Sequence, residues 1–350
     1  MFAAATTSGP TGGRRGRRLV AGLALLALLG AAGCSGSDDN NDNNNDNASG
    51  NNGGNGDGAS SSTRDIEHAL GVAEDVPAEP TRVVALDPYF SLPTAALGDV
   101  EIVGTSHLPF GDPHPPFVEA ARVENTENVG WFTELDIAGI HALEPDLIVG
   151  VESFVEPVHD ELSAIAPTVA LPLDHAHWEE TVRLAADAMG ISEAVEVSLG
   201  DYATRAEELS ARLADAGATE EPVTVLQFRS VEDIRIYTDH CSTRVLGDLG
   251  FTLHGADETP EGENALQVGA EQLTRADSSF VFYLLGAAGS NPEEAQAAFD
   301  IVSTQPLWER LGAVERGDTA VVSPDWWFNC GSPQANQLIL DDVEATLLGE

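Results

Sequence analysis

Three cysteines hold the covalent chemistry open to this chain, and their settings differ. Cys34 closes the string Leu28-Leu29-Gly30-Ala31-Ala32-Gly33-Cys34. Upstream lie Arg14, Arg15, Arg17 and Arg18, followed by an apolar run from Leu19 to Ala32. A basic segment, an apolar segment and small residues at a cleavage point make an export signal. As a helix that run reaches roughly 21 Å, short of the ~30 Å hydrocarbon core, so it is not read as a permanent span. The small-small-Cys ending resembles a bacterial lipobox, whose cysteine takes a lipid and becomes the mature N-terminus. Ala31 stands where an aliphatic residue is commoner, and plain secretion is the other reading. The arginine pairs leave both Sec and twin-arginine export open. Residues 1–33 are therefore expected to be a signal peptide. Residues 34–62, almost wholly Asn, Asp, Gly and Ser, are expected to be a disordered tether about 30 Å in reach.

Cys241 and Cys330 remain. In an oxidising exterior an even remainder suggests one disulfide, with free thiols or metal ligation beside His240 as the alternatives. Asp174, His175 and His177 have metal-binding types, but on an exposed linker they read as solvated, and no metal site is expected. All 16 basic residues are arginine, so neither a Walker A loop nor a lysine Schiff base can form. No G-x-S-x-G elbow, C-x-x-C pair or H-E-x-x-H helix occurs, and the Gly53 to Gly58 cluster lies in the tether. The chain is read as a non-enzyme with no cofactor of its own. After Cys34, 12 arginines meet 58 Asp and Glu, a net charge of −46. That balance argues against nucleic acid and anionic membrane surfaces, and fits a solvated acidic surface or a docking face for a basic partner.

The positioning elements follow from periodicity. Apolar runs at 82–86, 100–104, 146–150 and 168–171 read as strands. Between them, Thr133-Glu134-Leu135-Asp136 resembles a capping box for a helix running to Leu143, and 156–165 reads as a second helix. This rhythm predicts an N-terminal α/β lobe over 63–173. A helical connection over 174–221 follows. Its long helix, 192–216, is marked by Leu199, Tyr202, Ala206, Leu209, Leu213 and Ala216 at spacings of three and four. Asp201–Arg205 and Glu208–Arg212 sit at i,i+4 on it. Strands at 223–228, 280–285 and 320–322 then predict a C-terminal α/β lobe over 222–350. Two Rossmann-like lobes joined by one long helix leave a cleft, and open α/β sheets bind ligands at their strand carboxyl ends. Trp131, Phe132, Trp326, Trp327 and Tyr89 fall at such ends and would wall a bulky, planar or apolar ligand. Trp308 reads as core, and His107 as a polar loop residue.

The body of the chain, about 79–350, resembles the solute-binding lipoproteins of ABC importers for ferric siderophores and cobalamin. The resemblance rests on Pro80-Thr81-Arg82-Val83-Val84-Ala85-Leu86, Ile140-His141-Ala142-Leu143-Glu144-Pro145-Asp146-Leu147-Ile148-Val149 and Ile165-Ala166-Pro167-Thr168-Val169. It continues, in the family's order, through Val245-Leu246-Gly247-Asp248-Leu249-Gly250, Glu271-Gln272-Leu273 and Pro306-Leu307-Trp308-Glu309-Arg310-Leu311-Gly312-Ala313-Val314. It implies a monomeric, lipid-anchored, extracytoplasmic receptor that hands a ferric siderophore to a permease driven by a cytoplasmic ATPase. Iron would enter only inside the siderophore. Gln227-Phe228-Arg229 and Ile234-Arg235-Ile236-Tyr237 resemble the siderophore branch, in which a second-lobe Arg faces the chelate. Arg235 is the first choice, then Arg229, with Tyr237 beside them; a guanidinium fork suits carboxylate, hydroxamate or catecholate oxygens. The family also docks through one acidic residue per lobe. Glu271 matches the second; the first falls at Ala138, so Glu134 and Asp136 are the expected substitutes. Cobalamin or haem binding is the alternative within this fold, and a surface enzyme or structural lipoprotein the alternative outside it.

Overall fold

Uninterrupted aliphatic runs become buried strands here, because a strand covered on both faces has no solvent side to alternate toward. The computed structural model describes residues 62–349, apart from 110–111, 261 and 288–290. The export signal, Cys34 and the tether up to residue 61 lie outside the described residues. An antiparallel hairpin, β1 (Thr63–His68) and β2 (Gly71–Pro77), comes first and packs beside the first lobe. It has no long apolar run, so periodicity did not reveal it.

The first sheet uses β3 (Arg82–Ala85), β4 (Glu101–Thr105) and β5 (Glu127–Asn128). A small hairpin of β6 (Gly130–Trp131) and β7 (Glu134–Leu135) follows, then β8 (Leu147–Val151) and β9 (Thr168–Leu171) return to the sheet. Its order is β5-β4-β3-β8-β9, parallel throughout. The capping-box expectation needs correcting. Glu134 and Leu135 are strand, and the helix spans Ile137–Ala142 with Asp136 as its cap, accepting from the Gly139 N–H at 2.9 Å.

The second sheet contains β10 (Val223–Phe228), β11 (Ile234–Tyr237), β12 (Ala265–Val268), β13 (Phe280–Leu285) and β14 (Thr319–Val322), in the order β12-β11-β10-β13-β14. β10, β13 and β14 are parallel, while β11 runs against both its neighbours.

Helices Trp178–Met189 and Ser192–Asp215 join the lobes. The second, of 24 residues, is about 36 Å long. Its buried stripe is Val195, Leu199, Tyr202, Ala206, Leu209 and Leu213; Ala216 caps it and is exposed. Burying each leucine there contributes roughly 1.5–3 kcal/mol. The ion pairs of Arg205 lead off its own helix rather than to Asp201. Its guanidinium reaches across to Asp341 and to Glu344 on the C-terminal helix Pro333–Leu347, and Arg212 also reaches Glu344. One apolar core runs from Val83 and Leu147 through Leu199 and Leu209 to Val225, Phe282 and Val343. The lobes therefore share packing along the helical side.

Cys241 and Cys330 are joined by a disulfide with Cα atoms 5.6 Å apart. Cys241 opens the helix Cys241–Asp248, and Cys330 stands just before the C-terminal helix. The next residue, Gly331, has φ +104°, and a Cβ there would fall 2.7 Å from Cε1 of the first-lobe Phe90. Gly331→Ala should therefore cost about 1–3 kcal/mol through backbone strain and overpacking, read as a lower urea midpoint at unchanged slope.

Candidate ligand-binding cleft

The strand carboxyl ends supply the chemistry of both walls. On the first lobe, Asp87 follows β3 and is fully buried. Its Oδ1 accepts the N–H groups of Tyr89, Phe90 and Ser91 at 3.0, 2.7 and 3.2 Å. Burial pushes this carboxyl up from its ordinary value, and the three N–H donors oppose that. Asp87 thus fixes the turn that carries Tyr89. The Tyr89 ring lies 6.4 Å from Phe132 and 6.3 Å from Phe154. Phe132 stacks on Phe154 at 4.1 Å and meets Trp131 at 3.7 Å. A cavity of about 510 Å³ opens beside this group, lined by His107, Asn128, Trp131 and Glu134.

On the second lobe, antiparallel pairing puts Arg235 opposite Gln227, so both lie on one face of the sheet together with Tyr237. Arg229 lies just past the end of β10. Asp233 holds both guanidiniums, Arg235 at 3.2 Å and Arg229 at 3.4 Å. The Tyr237 hydroxyl donates to Gln227 Oε1 at 2.9 Å. Burial raises the Tyr237 phenol from its ordinary value, while Arg235 and Arg229 pull it down. Tyr89 and Tyr237, both buried, come within electrostatic range of each other. Burial raises the Tyr89 phenol, and the neighbouring Asp87 and Tyr237 raise it further. A cavity of about 590 Å³ at Pro222, Asp277 and Arg316 lies at the other end of the second sheet, before its strands begin, away from the end at which open α/β sheets bind ligands.

The residues matched by the family model described as "Periplasmic binding protein" are 83–325, well over half of the chain. The chain belongs to the periplasmic binding protein family. Among curated relatives of this periplasmic binding protein is YfiY of Bacillus subtilis (strain 168), named as a probable siderophore-binding lipoprotein. It is 30% identical over 301 residues, covering 83% of this chain and 89% of the relative. Two solved structures share the fold. Staphylococcus aureus SirA complexed with staphyloferrin B has TM-score 0.70 and 24% identity, covering 82% of this chain and 99% of SirA. Bacillus subtilis FeuA complexed with ferri-bacillibactin has TM-score 0.67 and 21% identity, covering 82% and 99%.

Of the residues singled out from sequence, Arg229, Arg235 and Tyr237 gather on the second wall, and Tyr89, Trp131 and Phe132 on the first. Trp326 and Trp327 do not fit the expected place. Both indole N–H groups donate to Asp342 Oδ2, at 2.7 and 2.8 Å, and Trp327 is fully buried against Phe282. Periodicity could not separate an aromatic turned toward the cleft from one captured by a helix further along the chain. Trp308 is core, packed on Phe228, Tyr283 and Phe299. Glu271 is exposed at the start of the turn Ala270–Ala276 after β12, an edge strand. Glu134 is exposed on β7 and makes no ion pair among the described residues, whereas the carboxylate of Asp136 is used as a cap. Sequence reasoning missed Phe154, Asp233 and Asp87. The strand-end positions of Asp87 and Phe154 offered a signal; Asp233 had none.

His175 also departs from expectation. It is not solvated but turned inward, its ring 4.4 Å from that of His240. Burial holds both imidazoles below the ordinary histidine value of 6.5, and their mutual proximity lowers His240 further. Asp174 and Asp239 partly oppose this at His175. Because both folded values are depressed, their contribution to stability is present above about pH 6.5 and is lost as pH falls below it. His68, His107 and His114 act in the same sense, and His177, raised by Asp174, in the opposite one. Tm should fall between about pH 6.5 and 5, and His175→Phe should flatten that decline; an equal slope in the variant would refute the assignment.

Proposed function

We propose that this protein is the extracytoplasmic substrate-binding lipoprotein of an ABC importer. It takes a ferric siderophore between its lobes and delivers it to the permease. What supports this reading is Arg229 and Arg235, both held by Asp233, at the end of β10 and on β11 of one lobe, together with the aromatic group of Tyr89, Trp131, Phe132 and Phe154 at strand ends of the other. Guanidinium forks suit the oxygen-rich, anionic periphery of an iron chelate, and the aromatic wall suits its planar donor groups. The names of YfiY, SirA and FeuA support the same ligand class. Recognition requires no catalytic step. Lipid on Cys34 would keep the body at the outer face of the membrane, with Glu271 and Glu134 as the docking acids toward a permease coupled to a cytoplasmic ATPase.

The test is tryptophan fluorescence of the full chain, titrated with ferric hydroxamate, catecholate and carboxylate siderophores, their iron-free forms, cobalamin and haemin. Saturable submicromolar quenching by a ferric siderophore is the expected result. Saturation by cobalamin or haemin alone would keep the fold and overturn the ligand. No response to any of them would remove the receptor reading.

A further inference from the structure

We propose that Cys241, Cys330, His240 and His175 become a tetrahedral site for a thiophilic divalent cation, such as Zn²⁺, when the disulfide is reduced. The geometry is nearly in place. His240 Nδ1 lies 3.5 Å from Cys330 Sγ and 3.7 Å from Cys241 Sγ. In a tetrahedral centre with metal–sulfur bonds of about 2.3 Å and metal–nitrogen bonds of about 2.1 Å, nitrogen and sulfur stand roughly 3.6 Å apart. Two edges of that tetrahedron therefore already have their working length. The ligand atoms of His175, His240 and Cys241 all lie within 4.8 Å of one another. His175 Nδ1 is buried and has no hydrogen-bond partner, so a ligand there would satisfy an orphaned group. What remains is for the two sulfurs to part to an edge of about 3.8 Å once they are no longer bonded, for Cys330, which lies outside that three-residue group, to draw toward His175, and for His240 Nδ1 to exchange its Ser242 hydroxyl contact at 3.1 Å for the cation.

The surroundings favour a closed site. Tyr237 and Phe328 flank the His240 ring at 4.7 and 5.6 Å, and both cysteines are fully buried. Two thiolates and two imidazoles are a donor set that prefers Zn²⁺ to hard cations. His175 belongs to the segment after β9 of the first lobe, whereas the other three ligands belong to the second. A bound cation would tie the two lobes together behind Tyr237. The chemistry balances with a dithiol as reductant. Its two thiols give two electrons and two protons to the Cys241–Cys330 bond and leave as a disulfide; the cation then displaces the two cysteine protons to solvent. Because both sulfurs are buried, the exchange passes through local opening of the chain around them.

The test uses the full chain carrying Cys34→Ser, so that Cys241 and Cys330 are its only thiols. It is reduced with a water-soluble phosphine and titrated with Co²⁺, then Zn²⁺. We expect one equivalent of Co²⁺ with the intense visible bands and thiolate charge transfer of a tetrahedral sulfur-ligated ion, displaced by Zn²⁺, and neither feature in the oxidised protein. His175→Phe, checked for folding by circular dichroism in its oxidised form, should weaken Co²⁺ binding by more than about tenfold. Equal Co²⁺ binding by oxidised and reduced protein, an octahedral spectrum, or unchanged affinity in His175→Phe would each overturn the proposal. If reduction unfolds the chain, Zn²⁺ must restore the folded spectrum; failure to do so overturns it as well.

Discussion

Replacing Arg235 with alanine is expected to weaken ferric-siderophore binding on the order of 10- to 100-fold. Hydrogen bonds to charged groups contribute about 1.5–3 kcal/mol, and each 1.4 kcal/mol is a factor of ten in affinity. Arg235 is well placed to supply them. It is one-third exposed, fixed by Asp233 at 3.2 Å, and stands beside Tyr237 on the second wall. Arg235→Lys should recover little of the loss, because a single ammonium cannot reproduce the planar fork. Arg229→Ala should weaken binding less, since Arg229 lies beyond the end of β10, and the double variant should exceed either single one. The variants share Asp233, so their effects are not expected to add. Fluorescence titration of the four variants against one ferric siderophore measures this. An unchanged Kd in Arg235→Ala would remove Arg235 from the site.

The largest stability effect is expected at the disulfide. The bond links residues 89 apart in sequence, and the chain-entropy model gives a stabilisation of roughly 4–5 kcal/mol for a loop of that size. Against a typical stability of about 5–15 kcal/mol, that is a large share. Urea unfolding with and without a phosphine reductant, at a pH near neutrality, should show the midpoint falling steeply on reduction. The same loss should appear in the variant Cys241→Ser/Cys330→Ser, and reductant should then do nothing further. A difference below about 1 kcal/mol would mean that the helices Cys241–Asp248 and Pro333–Leu347 hold each other without the bond.

Much of the framework was legible because its signals are local. The strands Thr168–Leu171, Val223–Phe228 and Phe280–Leu285 stand where their apolar runs placed them. Burial on both faces writes a continuous hydrophobic word that needs no knowledge of the partner strand. The helix Ser192–Asp215 was legible for the same kind of reason, since its stripe repeats with the helical period. Short elements without a continuous apolar run were not. Ile234–Tyr237 has only four residues, too few for alternation to distinguish a strand from a loop, although it carries Arg235. The small hairpin of β6 and β7 displaced the expected helix start because Glu134 and Leu135 pair with Trp131 and Gly130, leaving Asp136 as the first residue free to cap.

The sequence alone determined the export signal pattern, the absence of lysine chemistry, the α/β rhythm and the residue types able to recognise an anionic chelate. Each depends on composition or on neighbours within a few residues. Tertiary structure decided which of those residues meet. Tyr89 and Tyr237 come from different lobes, and only the packing of the whole chain brings them within electrostatic range of each other. Asp342 withdraws Trp326 and Trp327 from the cleft by offering both indoles an acceptor on a helix that their own segment does not contain. His175 turns inward because His240 and Phe90 provide a surface against which its ring can be buried. Local periodicity specifies elements, whereas a contact between distant residues exists only once chain closure has been compensated by burial across the fold.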